Sequence, residues 1–252
     1  ATASAGGITD SSNLSASGNV TLNDVATTGI TLGTLEADAN VIITAAGNTA
    51  ITNDAALALQ GTVTGTLDAT ATTGDITDSD ALAVSGASVF TLGADGSNIT
   101  LDSAANAFSG AVTLKAGSSG SQTFGNITFV DSGAIDFAGS ASADGDLFLD
   151  GGTDNTVGGT LAVTATTGGI TDSATIAVTG DLTLNDVATA GITLGTLEAD
   201  ANVIITAAGN TAITNDAALA LQGTVTGTLD ATASAGGITD SSNLSASGDV
   251  TL

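Results

Sequence analysis

Aspartate recurs at one place in the sequence pattern, directly after short apolar segments that contain isoleucine, leucine or phenylalanine. The sequence contexts are ITD, ITND, ITLD, ITFVD and LFLD. The aspartates in these contexts are Asp10, Asp54, Asp78, Asp102, Asp131, Asp150, Asp172, Asp216 and Asp240. If the segments stack on one another, we expect these residues to line one corner of the molecule, with one carboxylate in most layers.

Such a row has two interpretations. Stacked carboxylates repel one another, and a hard cation such as Ca²⁺, which prefers oxygen ligands, relieves that repulsion. This interpretation predicts a calcium ladder at Asp54, Asp78, Asp102, Asp131, Asp150, Asp172 and Asp216. The alternative is turn chemistry, in which each aspartate side chain caps a bend of its own backbone. The sequence contains neither an EF-hand loop nor a GGxGxDxUx repeat, so the pattern alone does not choose between them.

Catalytic chemistry has few possible residues in this chain. Nucleophilic catalysis needs a base beside serine, threonine or cysteine, but the sequence lacks His and Cys, and Lys115 is its one basic residue. Paired carboxylates hydrolyse glycosides, so a polysaccharide-active β-helix enzyme remains an alternative. The chain has no Arg, His, Tyr or Trp to hold a sugar. We therefore expect no catalytic residues, no enzymatic activity and no cofactor other than the calcium considered above.

The charge excludes two classes of partner. With 26 acidic residues and one basic residue, the 252-residue chain carries a formal net charge of −25. Nucleic-acid binding needs Lys and Arg against phosphates, and an anionic membrane surface would repel the chain. No apolar run approaches the roughly 18 residues that a membrane helix needs. We expect no nucleic-acid partner and no membrane insertion of this segment.

Long repeats dominate the sequence. Residues 21–68 match residues 183–230 at 47 of 48 positions, with Thr28 replaced by Ala190, at an offset of 162. Near-identical copies favour a role in which length matters more than any single position. We expect residues 1–252 to form one continuous segment of a longer repeat array. Its units are 1–68, 69–162, 163–230 and 231–252.

A shorter repeat period lies within these units. Triplets with apolar first and third residues recur every 21 to 26 residues, and Gly, Asn, Asp and Ser fill the gaps between strands as turns require. The triplets begin at Val20, Val41, Leu67, Phe90, Val112, Ile135, Leu161, Leu182, Val203, Leu229 and Val250. This is the length of one coil of a β-solenoid, in which coils stack about 4.8 Å apart and pair in parallel.

Two other folds compete with the solenoid. A helical array needs strong helix formers on its surface, whereas Thr, Asn, Gly, Asp and Ser occupy those positions here. A barrel or sandwich explains the short strands but not the near-identical copies. The sequence therefore predicts an all-β parallel solenoid with about 21–26 residues per coil.

All six phenylalanines lie between positions 90 and 148, in the divergent part of the second unit. We expect most of them to fill a wider coil, with Phe129 and Phe137 at inward positions. The alternative is an exposed partner site, with Phe148 pointing outward between Leu147 and Leu149.

The repeat motifs resemble those of filamentous-haemagglutinin-like exoproteins and giant bacterial repeat adhesins. The pattern G-(N/D)-(V/L)-T-L occurs at 18–22, 180–184 and 248–252, together with ANVIIT and GITD. The resemblance implies a right-handed parallel β-helix, secretion to the bacterial cell surface and a role as a surface fibre.

We therefore expect a structural extracellular fibre or stalk segment of a bacterial surface adhesin. Its expected partners are copies of itself or other cell-surface and extracellular polymers. The main alternative is a self-assembling filament or sheath, in which solenoids associate laterally or end to end.

Overall fold

Short strands and turns make up the part of the chain that the computed structural model describes, residues 1–117, 123–151 and 155–252. No helix occurs among these residues, so they contain no helix that is long and apolar enough to cross a membrane. The alternation of apolar and polar residues explains the strands: Val41, Ile43 and Ala45 are buried, while Ile42 is half-buried and Thr44 is exposed. The predicted all-β class is confirmed.

The 29 strands of the described residues form two sheets. Sheet A consists of β1 (Thr2–Ala3), β4 (Val20–Asp24), β6 (Val41–Ala45), β8 (Leu57–Val63), β10 (Ile76–Val84), β12 (Ile99–Leu101), β13 (Ala107–Phe108), β15 (Ile127–Asp131), β19 (Leu161–Ala165), β22 (Leu182–Asp186), β24 (Asn202–Ala207), β26 (Leu219–Val225) and β28 (Ile238–Ala246). Sheet B consists of β2 (Ile8–Thr9), β3 (Leu14–Ala16), β5 (Ile30–Ala37), β7 (Thr49–Asn53), β9 (Leu67–Ala71), β11 (Ser88–Leu92), β14 (Val112–Ala116), β16 (Ile135–Phe137), β17 (Asp146–Asp150), β18 (Thr156–Val157), β20 (Ile170–Asp172), β21 (Ile176–Val178), β23 (Ile192–Ala199), β25 (Thr211–Asn215), β27 (Leu229–Ala233) and β29 (Val250–Thr251).

Neighbouring strands pair in parallel, each with a strand from an adjacent coil. The chain alternates between the sheets, so that β4 pairs with β6 in sheet A while the intervening β5 pairs with β7 in sheet B. The main path of sheet A runs through twelve strands of the described residues, which gives a solenoid of about twelve coils. The predicted parallel β-solenoid is confirmed.

The residue step between paired strands varies more than the sequence pattern indicates. Val20 pairs with Val41, and the equivalent Leu182 pairs with Val203, as predicted. The prediction that the triplet at Leu67 stacks on the triplet at Val41 is wrong, because Val41 pairs with Leu59, only 18 residues ahead. Leu67 instead belongs to sheet B. Similar apolar triplets occur in both sheets, so their spacing alone does not show which sheet a triplet joins.

The coils are longest in the middle of the chain. Val112 pairs with Leu147, 35 residues ahead, and Ile127 pairs with Leu161, 34 residues ahead. The buried apolar side chains of both sheets form one core cluster that runs along the solenoid.

The wider coils contain the phenylalanines. Five of the six are buried, including Phe129 and Phe137 at the predicted inward positions. The ring of Phe108 meets Phe90 edge-on at 5.9 Å and stacks on Phe129 at 5.3 Å between centroids. Phe148 points outward and is half-buried, between the buried Leu147 and Leu149. The aromatic residues therefore chiefly fill the core.

Candidate functional site

The aspartates of the predicted row divide between the two sheets. Asp78, Asp102, Asp131 and Asp240 lie in or directly after strands of sheet A. Asp10, Asp54, Asp150, Asp172 and Asp216 lie in or directly after strands of sheet B. The expectation that they line one corner is therefore wrong, since ITD-like contexts end strands in both sheets. Aspartates of the row within one sheet do not pair with each other across neighbouring strands either. The Cα partner of Asp172 is Phe137, and that of Asp78 is Leu59.

Asp10 and its copy Asp172 each hold a bulge of the next coil. Asp10 accepts hydrogen bonds from the backbone N–H of Gly33 at 3.0 Å and of Thr34 at 2.8 Å. Asp172 accepts the same bonds from Gly195 and Thr196 at 2.8 and 2.7 Å. These backbone donors lower the pKa of Asp10, because they stabilise its ionised form. Both carboxylates act as inter-coil caps.

Asp78 plays a related role at a corner of sheet A. Its carboxylate accepts the backbone N–H of Asp102 at 3.0 Å and of Ser103 at 2.9 Å, and the amide Nδ2 of Asn106 at 2.6 Å. Three donors around one carboxylate match turn chemistry, extended here from one coil to the next.

Asp131 is the buried member of the row. Its Oδ1 accepts the backbone N–H of Phe108 at 2.9 Å and of Ser132 at 2.8 Å. Burial raises the pKa of Asp131 above its ordinary value, since the charged form loses its hydration, although these hydrogen bonds act in the opposite direction.

Asp150 forms an ion pair with the chain's one basic residue. The Lys115 Nζ lies 2.8 Å from the Asp150 carboxylate, and the two residues are Cα partners on β14 and β17. Both side chains are partly exposed, at 41% and 29%, so the pair contributes little stability.

Asp54 and Asp216 line the same surface groove in the two copies of the repeat. The first groove has a volume of about 210 Å³ and brings Asp54 beside Glu36, Thr34 and Thr52. The second has a volume of about 260 Å³ and brings Asp216 beside Glu198 in the same way. Within the described ranges, no three acidic or other metal-ligating side chains come together as a cation site would require. Calcium binding by the row stays a prediction.

A set of buried polar side chains was not predicted from the sequence: the asparagines join neighbouring coils, and the two aspartates hold the turn after their own strand. They are Asp24, Asn53, Asn106, Asn155, Asp186 and Asn215. Period-two alternation was the signal that could have revealed several of them, because Asp24 has the same parity as Val20 and Leu22, and Asn53 the same parity as Ile51.

Asn53 shows what these residues do. Its Oδ1 accepts the backbone N–H of Ala37 at 2.8 Å, and its Nδ2 donates to the carbonyl oxygens of Ala37 at 3.1 Å and Ala56 at 2.7 Å. Asn215 makes the corresponding bonds to Ala199 and Ala218. Each asparagine thus satisfies buried backbone groups where strands bend and ladder pairing is interrupted.

Comparison with known proteins gives a family but no function. A family model described as repeats of unknown function matches residues 46–115, 152–208 and 208–252, more than half of the chain. No curated protein and no solved structure matches the chain. The matched ranges extend over both copies of the repeat and both sheets of the solenoid. The chain therefore belongs to the family described as repeats of unknown function (DUF5649).

Proposed function

We propose that this chain is a segment of an extracellular structural fibre or stalk on a bacterial surface, of the kind that carries adhesins, and that it acts without catalysis. The observation that carries the proposal is the reuse of contacts between the two copies of the repeat. Val20 pairs with Val41 and Leu182 with Val203, while Asn53 and Asn215 make the same three hydrogen bonds. A copied sequence that rebuilds the same coil adds length to a rod and leaves its cross-section unchanged.

The acidic side chains support this proposal by what they contact. Asp10, Asp78 and Asp172 direct their carboxylates at backbone N–H groups of the next coil, which is a structural role. A polysaccharide-cleaving site would instead need two carboxylates free to reach one sugar bond. The bridging aspartates help stacked coils stay in register, and the outward acidic residues keep a long rod soluble.

The surface location is tested by immunogold labelling of intact cells that express the chain. Antibodies against folded chain are expected to label fibres outside the cells without permeabilisation. Cells that lack the gene provide the control. Label that appears only after permeabilisation would overturn the extracellular assignment.

A self-assembling filament or sheath is the second candidate. It is favoured by one observation, the uneven distribution of charged residues between the outward side of sheet A and the outward side of sheet B.

A further inference from the structure

The outward side of sheet A carries almost no charge, although the chain as a whole is strongly acidic. We use the name uncharged face for the outward residues of β4, β6, β8, β12, β15, β19, β22, β24 and β26 in the described part of the chain. These residues are Thr21, Asn23, Ile42, Thr44, Ala58, Gln60, Thr62, Thr100, Thr128, Ala162, Thr164, Thr183, Asn185, Asn202, Ile204, Thr206, Ala220, Gln222 and Thr224. Outside this face, the acidic residues of sheet A that are not buried are Asp78 and Asp80, at the bulge of β10, and Asp240 in β28.

The outward side of sheet B is different. Its ladder positions include seven acidic residues within the described ranges, along with Lys115 and Phe148. The acidic residues are Glu36, Asp68, Asp136, Asp146, Asp150, Glu198 and Asp230. The two faces lie on opposite sides of one core, so the solenoid has a charged side and an uncharged side.

This distribution determines how two copies can approach each other. The Debye length is about 8 Å at physiological ionic strength, so carboxylates brought together across a close interface repel one another strongly. Contact through sheet B would bring Asp68, Asp230 and Glu198 of one copy near the acidic residues of another. Contact through the uncharged face brings only the two carboxylates of β10 near the interface: Asp78, which is held by backbone N–H groups of the next coil, and Asp80.

The uncharged face is large enough for a stable interface. The ten stacked strands from β4 to β26, which include β10, span nine steps of about 4.8 Å and make a surface roughly 43 Å long, and three to five residues per strand make it roughly 10–15 Å wide. The resulting area, on the order of 430–650 Å² per partner and so about 900–1,300 Å² in total, reaches the roughly 1,000 Å² in total that a biological interface needs.

The side chains of this face are suited to sheet-on-sheet packing. Thr44 and Thr206 are exposed, and the half-buried Ile42 and Ile204 lie two residues earlier on the same strands. Uncharged faces of Thr, Asn, Gln, Ala and Ile can interdigitate and exchange side-chain hydrogen bonds. Because Ile42, Thr44 and Gln60 recur as Ile204, Thr206 and Gln222, the same patch occurs twice along the rod.

We propose that a second copy of this chain packs laterally on the uncharged face, so that solenoids associate side by side through sheet A. The proposal rests on the proposed role as a fibre and adds to it the face through which fibres thicken. The charged side remains turned to solvent in the pair.

The test compares two double variants with the unmodified chain by sedimentation equilibrium and small-angle X-ray scattering over a series of protein concentrations. Thr44→Glu with Thr206→Glu places carboxylates on the uncharged face. Thr31→Glu with Thr193→Glu is the matched control, since these threonines are exposed outward residues of sheet B and are also equivalent copies. Circular dichroism checks that each variant keeps its β-structure.

The unmodified chain is expected to reach twice its 23.7 kDa mass and to gain thickness but not length. The sheet A variant is expected to associate roughly tenfold more weakly or worse, while the sheet B control associates as the unmodified chain does. Added salt is expected to strengthen the pairing of the unmodified chain, because it screens the repulsion between the remaining carboxylates.

Three results would overturn the proposal. They are an unmodified chain that stays monomeric at every concentration, equal loss of association in both variants, and loss in the sheet B control alone. A monomeric chain that sediments with an insoluble neutral polysaccharide, and loses that binding in the sheet A variant, would assign the face to a different partner. A monomer that is still rod-shaped would leave the fibre role intact, whereas a globular monomer would contradict that role as well.

Discussion

At the scale of single residues, this chain uses acidic and amide side chains mainly to satisfy backbone groups between coils. The carboxylate of Asp10 accepts the backbone N–H of Thr34 in the next coil at 2.8 Å, and Asp172 repeats this bond with Thr196. A narrow solenoid bends its backbone several times per coil, and each bend interrupts the ladder and leaves donors and acceptors in need of partners. Short side chains that reach one coil further are a direct solution.

The buried asparagines are expected to be essential for stability. Replacing Asn53 by alanine removes three hydrogen bonds, two of which satisfy the backbone N–H and carbonyl oxygen of the buried Ala37 and one the carbonyl oxygen of Ala56. We expect the variant to lose about 2–4 kcal/mol of unfolding free energy, measured by chemical denaturation. Thr52→Ala is the control, since Thr52 points outward on the same strand, and its loss is expected to stay below about 1 kcal/mol. Equal losses would contradict this role of Asn53.

Asp131 predicts a specific pH dependence. Its pKa in the folded protein is raised by burial above the ordinary value of 3.8, so the folded state holds the proton more tightly than the unfolded state. The stability of the natural chain relative to Asp131→Asn is therefore greatest below pH 3.8 and falls as the pH rises through the folded pKa. Unfolding free energies of both chains between pH 3 and pH 7 measure this difference.

Asp10 provides a control of opposite sign. Backbone hydrogen bonds lower its pKa in the folded protein, so the natural chain is expected to gain stability relative to Asp10→Asn as the pH rises toward 3.8. That gain should persist at higher pH. If the stability of the natural chain changed with pH in the same direction relative to Asp131→Asn and relative to Asp10→Asn, the surroundings assigned to these two carboxylates would be contradicted.

At the scale of strands, glycine fixes where a coil can bend. Gly61 lies within β8 opposite the bulge of β10 and has a φ of +119°, and its copy Gly223 has a φ of +120°. A Cβ on Gly61 would lie 1.9 Å from the carbonyl oxygen of Ile43 in the coil below. The close approach of β8 to β6 at this position therefore requires both the left-handed backbone and the absence of a side chain.

Gly61→Ala is accordingly expected to destabilise the chain by several kcal/mol, on the order of 3 or more, in chemical denaturation. Gly33→Ala tests the specificity of this effect, because Gly33 is likewise a strand glycine, at the bulge of β5, but has open space where its Cβ would be. We expect the Gly33 variant to remain within about 1 kcal/mol of the natural chain. A tolerated Gly61→Ala would show that coil-to-coil contact at β8 is looser than described.

The strands also show what the sequence could and could not predict. Alternation in VIITA and VTLND correctly indicated strands and their inward side chains. The sequence could not predict which sheet each strand joins, because Val41 and Leu67 begin similar triplets but belong to different sheets. The aspartate row was misplaced for the same reason. The uncharged face depends on pairing between strands about 20 residues apart, so no local pattern could reveal it.

At the scale of the whole molecule, each repeat of the sequence adds a fixed length to the solenoid. Seven strand pairings of sheet A separate β4 from β22, the equivalent strands of the two copies. Each repeat period of 162 residues thus corresponds to about 34 Å of rod at a spacing of about 4.8 Å. Stability in such arrays is approximately a sum over neighbouring units, so whole periods should be added or removed without loss of folding.

The most direct test of this account is the length of a chain that carries one additional period. A second copy of residues 21–182 placed after residue 182 joins Leu182 to Thr21, as Leu182 normally joins Thr183. Small-angle X-ray scattering at low protein concentration is expected to show a maximum dimension about 34 Å longer with the same cross-sectional radius. A thicker particle that gains less than half of this length would contradict the claim that the chain is a rod built of interchangeable coils.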